Sequence, residues 1–184
     1  YAGKSSHFQW VRSRGPWQQP ELLEAIFSSS NLEAAYGRVK ANGGAGGVDG
    51  VSLAEFTAWF IPRRDGLLRR LHLGNYRPSP VRRTHIAKKN GKTRPLGIPT
   101  VFDRIVQQAI HQVLCPILDS SFSNNSYGFR PGCRGHDAVR RIRDCVGEGY
   151  RWSVDIDLKS FFDKVPQARA LEALRGRLGG HGPV

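Results

Sequence analysis

Methionine is absent from all 184 residues, and the chain starts at Tyr1. A translation product ordinarily starts with Met, so the expectation is a fragment or a processed or trimmed chain. Cysteine is scarce: Cys115, Cys133 and Cys145 are odd in number and lack CxxC spacing. That fits neither a disulfide framework nor a zinc site, and a reducing cytosol is expected. No apolar run approaches the ~20 residues of a membrane span, and the N-terminus lacks the apolar stretch of a signal peptide. A cytoplasmic protein with no membrane partner is the expectation. Internal repeats and low-complexity tracts are missing too.

Acidic side chains are also few, 15 against 28 Lys and Arg, for a net charge of +13. The excess is concentrated. Residues 1–60 are neutral, with five of each sign, whereas 61–100 carry eleven basic side chains against Asp65 alone. Concentrated positive charge of this kind, next to aromatic residues, is the footprint of a nucleic-acid backbone track. An anionic membrane would attract the same charge, but the clean amphipathic helix that lies in a lipid interface is missing there.

Turn and capping signals divide the chain. Residues 1–19 are polar and irregular and are expected to be flexible. Glu21 to Phe27 predicts a short helix, and Ser30 with Glu33 predicts the capped start of a second. Leu32, Ala35, Tyr36 and Val39 share a face of it. Asn42 to Gly47 must end that helix, since interior glycine costs about 1 kcal/mol relative to alanine. As a phosphate cradle this run lacks P-loop spacing, so a flexible connector is the preferred reading. Ser52 with Glu55 caps another helix that Pro62 interrupts, and Tyr76 to Pro80 runs extended. Arg82–Lys88 and Thr93–Ile98 predict a hairpin around Asn90-Gly91. A two-residue turn would pair 88 with 93 and send Lys88 and Arg94 to opposite faces, whereas a loop of 90–92 would set 88 opposite 94; the wider loop is expected. Thr100 with Asp103 caps a core helix carrying Val106, Ile110, Val113, Leu114 and Ile117. Asp137 to Val146 is a further amphipathic helix.

Val154 to Asp163 reads VDIDLKSFFD. Trp152, Val154 and Ile156 would face one side of a strand, with Ser153, Asp155 and Asp157 on the other. A carboxylate at a strand end suits a magnesium ion that grips substrate phosphates. It equally suits a helix N-cap or a turn. Residue types alone leave both open.

Five blocks in order carry a likeness: NGGAGGVDG (42–50), GNYRPSPV (74–81), RPLGIPT (94–100) with DRIVQQA (103–109), SYGFRPG (126–132) with HDA (136–138), and GYRWSVDIDLKSFFD (149–163). Together they resemble the N-terminal half of bacterial group II intron-encoded reverse transcriptases. The resemblance implies an α+β right-hand polymerase, incomplete here: mostly helical fingers with a basic β-hairpin over 20–148, then the first palm strand and start of the palm over 149–184. It implies RNA-directed DNA synthesis and a possible splicing (maturase) role. The partners would be template and intron RNA, a DNA primer and deoxynucleotide triphosphates, with Mg2+ as cofactor; oligomeric state stays open.

By the same resemblance Asp157 matches the first catalytic aspartate, with the Leu158 carbonyl as a further metal ligand. Phe162 matches the residue under the sugar that excludes a 2′-hydroxyl. Lys88 and Arg94 match the pair that grips the triphosphate. Arg82 and Arg83 are expected on the nucleic-acid backbone, and Arg130 either braces the fingers or contacts template. Asp155 and Asp163 are weaker candidates. The chain also departs from the family: the aromatic-Ala-Asp-Asp block does not occur, and Pro166-Gln167 replace the usual Asn or Asp and His. This stretch alone is therefore expected not to polymerise, and a non-catalytic RNA-binding remnant is the alternative.

Overall fold

A computed structural model describes residues 19–87, 91, 93–158 and 161–178. The elements, in order, are helices α1 (Gln19–Phe27), α2 (Ser29–Asn42) and α3 (Phe56–Phe60), a 3-10 turn (Ile61–Arg63) and helix α4 (Arg64–His72). Strands β1 (Arg82–Ala87) and β2 (Thr93–Ile98) follow, then helices α5 (Val101–Asp119), α6 (Gly135–Gly147), α7 (Phe161–Lys164) and α8 (Gln167–Leu178). The fold is α+β, helices with one two-stranded antiparallel sheet among the described residues. None of the described helices is long and apolar enough to cross a membrane. The chain divides into two compact units, Gln18–Leu114 and a second that takes in Cys115 onward.

The first unit is built around α5. Val101, Phe102, Ile105, Val106, Ala109 and Val113 recur at helical spacing and are buried. Ala35 and Val39 of α2, Phe56 of α3, and Leu67 and Leu71 of α4 are buried in the same unit. Phe102 stacks on Phe60 and meets Tyr76 edge-on. Ile110, Leu114 and Ile117, expected in the core, are only half-buried. The start of α2 also differs from expectation: its cap is Ser28, whose hydroxyl accepts from the Asn31 backbone N–H, rather than Ser30. The shift frees Asn31 to enter the core. Fully buried, its amide donates to the carbonyls of Ile26 (2.8 Å) and Ala109 (3.1 Å), and Gln112 donates back to it. A buried amide that meets its partners ties α1, α2 and α5 into one arrangement, because any other leaves polar atoms unpaired.

The glycine run is no flexible connector. Arg104 donates to the carbonyls of Gly43 and Ala45, both at 3.0 Å, and Arg82 donates to that of Gly46, also at 3.0 Å. Gly47 is buried so closely that a Cβ there would sit 2.6 Å from the backbone of Thr100. Glycine serves here for close approach, which makes the loop tight. Gly47→Ala is expected to lower stability by about 1–3 kcal/mol, as overpacking does, measured as a reduced urea midpoint with an unchanged denaturant slope.

The second unit is packed differently. Among the described residues, none beyond Val113 is buried. Helix α6 leaves Val139, Ile142 and Val146 exposed, an apolar stripe at helical spacing without cover. The three cysteines are free thiols.

Candidate nucleic-acid interface

The hairpin rises from a polar knot at the start of α5. Thr100 and Asp103 form the expected reciprocal cap: the Asp103 N–H donates to Thr100 Oγ1 (3.1 Å), which donates back to Asp103 Oδ2 (2.6 Å). Two further donors reach the same carboxylate, the Tyr76 hydroxyl and the Ser79 N–H (3.2 Å). Asp103 is buried and accepts from all of them, so the extended segment leading into β1 is tied to the helix that follows β2. The Thr100–Asp103 spacing signalled the cap; nothing local signalled Tyr76 or Ser79, which come from 27 and 24 residues away.

The ladder pairs Arg82 with Ile98 and ends at Ala87 opposite Thr93. The turn is therefore wider than two residues, as expected, but the register is not the expected one: Arg94 faces Ile86, not position 88. Residues directly opposite share a face, so Arg82, Ile86 and Arg94 project from one side and Arg83 from the other. Arg83 and Arg94 are exposed, and neither face of the ribbon is buried. Lys88 lies outside the described residues, as do Lys89, Asn90 and Lys92. Gly97 is held close against Val81, where a Cβ would meet its side chain at 2.8 Å. Arg82, expected on nucleic acid, spends one donor on Gly46.

In the second unit Arg130 is a brace. Its Nε donates to Asp119 Oδ1 (2.8 Å), Nη1 to the carbonyls of Ser123 (2.7 Å) and Ser126 (2.9 Å), and Nη2 to the Asp119 carbonyl (3.1 Å). Its guanidinium also lies over the Phe122 ring. The hydrogen bond to the Asp119 side chain, and then that carboxylate's charge, raise its pKa still further. Of its two expected roles, bracing is the one these bonds perform.

The expected strand through Asp157 does not form. Residues 150–158 carry no ladder, and Trp152, Val154 and Ile156 are 96%, 83% and 78% exposed. An alternating segment becomes a strand only when a neighbour takes its N–H and C=O groups and something covers its apolar side. Among the described residues no strand pairs with 151–158, and its apolar side chains stay exposed. Asp155, Asp157 and Leu158 are consequently exposed. Their carboxylate and carbonyl oxygens are of the kind magnesium takes, but among the described residues no group of three His, Cys, Asp or Glu converges on a metal position. Phe162 falls in α7, and its side chain and that of Asp163 lie outside the described residues.

Residues 86–176 match the reverse transcriptase (RNA-dependent DNA polymerase) family. The chain is 42% identical over 136 residues to Protein YkfC of Escherichia coli (strain K12), covering 72% of this chain and 36% of that protein. It is 44% identical over 100 residues to the group II intron-encoded protein LtrA of Lactococcus lactis subsp. cremoris, covering 54% of this chain and 16% of LtrA. A 66-residue stretch is 46% identical to the mitochondrial nuclear intron maturase 2 of Arabidopsis thaliana, covering 35% of this chain and 9% of that protein. The chain thus spans about a third or less of these relatives. It belongs to the reverse transcriptases. Within them, it groups with the group II intron-encoded reverse transcriptases and maturases.

Burial, then the bond to Asp103, raise the Tyr76 pKa well above its ordinary 10. Folded chains thus keep a proton that unfolded chains lose, and stability conferred below about pH 10 is lost as pH rises beyond it. Tyr76→Phe is expected to cost about 1 kcal/mol at neutral pH and to flatten the alkaline fall, read from urea midpoints between pH 8 and about 11.

Proposed function

We propose that residues 20–148 are the fingers and 149–184 the opening of the palm of a group II intron-type RNA-directed DNA polymerase in the bacterial cytoplasm, which copies RNA into DNA and assists splicing of its intron RNA. The observation that carries this reading is the family match, which begins within the exposed basic hairpin and extends past Asp157. In this reading a primer 3′-hydroxyl attacks the α-phosphate of a deoxynucleotide triphosphate, and pyrophosphate leaves. Asp157 and the Leu158 carbonyl would hold Mg2+, which supplies charge neutralisation at the phosphates. Arg94, with Lys88, gives charge-assisted hydrogen bonds to the triphosphate. Phe162 packs under the sugar and excludes a 2′-hydroxyl. Arg83, and the donors of Arg82 not spent on Gly46, follow the nucleic-acid backbone.

A second reading, a non-catalytic RNA-binding piece, is favoured by one observation: the Asp157 segment is exposed and unpaired. Both readings need RNA binding through the basic patch. Binding of a structured RNA to this chain should weaken linearly with salt on a log-log scale, with a slope of roughly −0.7 to −0.9 per phosphate neutralised; a flat titration would remove both. To separate them, this segment replaces its counterpart in LtrA and primer extension is measured on an RNA template. Asp157→Asn should then reduce extension by more than about 100-fold while RNA affinity stays within twofold or so. Undiminished extension would sink the catalytic assignment.

A further inference from the structure

Phe129 holds the one positive φ outside glycine among the described residues, at 57°, and its side chain is 107% exposed. Either feature alone would be unexceptional at a glycine or a small polar residue. For a bulky aromatic they oppose both steric and hydrophobic preference, since the left-handed region crowds Cβ and an exposed ring gains nothing from burial. Such a conformation persists only where its surroundings over-determine it. Here the next residue does so. Arg130, with its side chain 13% exposed, is bonded to Asp119 and to the carbonyls of Ser123 and Ser126 and lies over Phe122. The loop from 123 to 130 is thereby stiffened from within, and Phe129 is turned outward on its rim. Space is open at the neighbouring glycines as well: a Cβ added at Gly128 or Gly132 would meet nothing within 4 Å.

We propose that Phe129 is a stacking platform for an unpaired nucleobase of bound RNA, a site that deepens the proposed function and rests on its RNA-binding part. A flat, open-sided ring on a rigid support suits a planar ligand, because every base offers a π-face and stacking needs no matching hydrogen bonds. Charge favours a polyanion over an apolar protein partner: Arg134, Arg143 and Arg151 of the same unit are exposed, and residues 115–184 carry eleven basic against eight acidic side chains. The strain is retained because relaxing it would turn the ring away from the position where a base arrives.

The test compares the 184-residue chain with Phe129→Ala, Phe129→Trp and Phe129→Gly, using fluorescence anisotropy on a single-stranded RNA and on a fully paired RNA duplex, with thermal melting of each variant. Phe129→Ala and Phe129→Gly should weaken single-strand binding by roughly 5- to 100-fold without changing the salt slope, and Phe129→Trp should retain it. Duplex affinity should hold in all three. Phe129→Gly should melt no lower than the parent and up to about 3 °C higher, since it removes the crowded Cβ. A lower melting temperature for Phe129→Gly would make the ring a packing residue and overturn the proposal. So would unchanged single-strand affinity beside a salt-dependent parent, or a loss on duplex equal to that on single strand. So would a sedimentation shift showing that the ring joins two copies of the chain. A parent that binds neither RNA removes the RNA-binding reading beneath it as well.

Discussion

The buried carboxylate of Asp103 is the contact on which the first unit turns. One oxygen pair gathers the Tyr76 hydroxyl, the Ser79 N–H and the Thr100 hydroxyl. Hydrogen bonds to an ionised acceptor are among the stronger ones, and a buried carboxylate deprived of donors is costly, so these partners are not readily exchanged. Their effect is positional: the segments before β1 and after β2 converge on one point. A two-stranded ribbon is marginal by itself in water, and this one has neither face covered. What gives it a fixed place is the knot at its base, supported by Arg82 on Gly46 and by the contact between Gly47 and Thr100.

Guanidinium groups take structural work in both units as well as supplying charge. Arg104 and Arg82 hold the glycine loop through its carbonyls, and Arg130 holds the 123–130 loop. The planar fork of arginine, with several donors in fixed directions, reaches several carbonyls at once as lysine does not. A strongly basic chain of this family therefore cannot be read as uniformly directed at nucleic acid. Arg83 and Arg94 remain outward, while Arg104 and Arg130 are turned inward and Arg82 is shared.

Much of the fold was legible because its signals are local. The helix periods of α2 and α5, the Thr100–Asp103 box, the Pro62 interruption and the hairpin all follow from spacing within a few residues. The misses have a common cause in partners far away along the chain. With Ser28 rather than Ser30 as the cap, Asn31 is placed to bond Ile26 and Ala109 in the core. The glycine run is tight because Arg82 and Arg104 reach it. Ladder register depends on a turn that several lengths of loop would satisfy, and it settled with Arg94 opposite Ile86. Of the candidate site, the residue types and their order were readable; the strand through Asp157 was not, since alternation states that a segment can pair and says nothing of whether a neighbour is there.

Sequence alone determined the family, through five ordered blocks, together with the basic bias of residues 61–100 and the helical or extended character of most segments. These depend on residue identity and short spacing, which chemistry fixes before the chain folds. Tertiary structure alone decided which cations point to solvent and which to carbonyls, that Asp103 joins the segment before β1 to the one after β2, and that Phe129 is held outward at a backbone angle its side chain resists. Those outcomes depend on which distant groups meet, and burial makes each meeting all-or-none because a polar atom removed from water must find its partner.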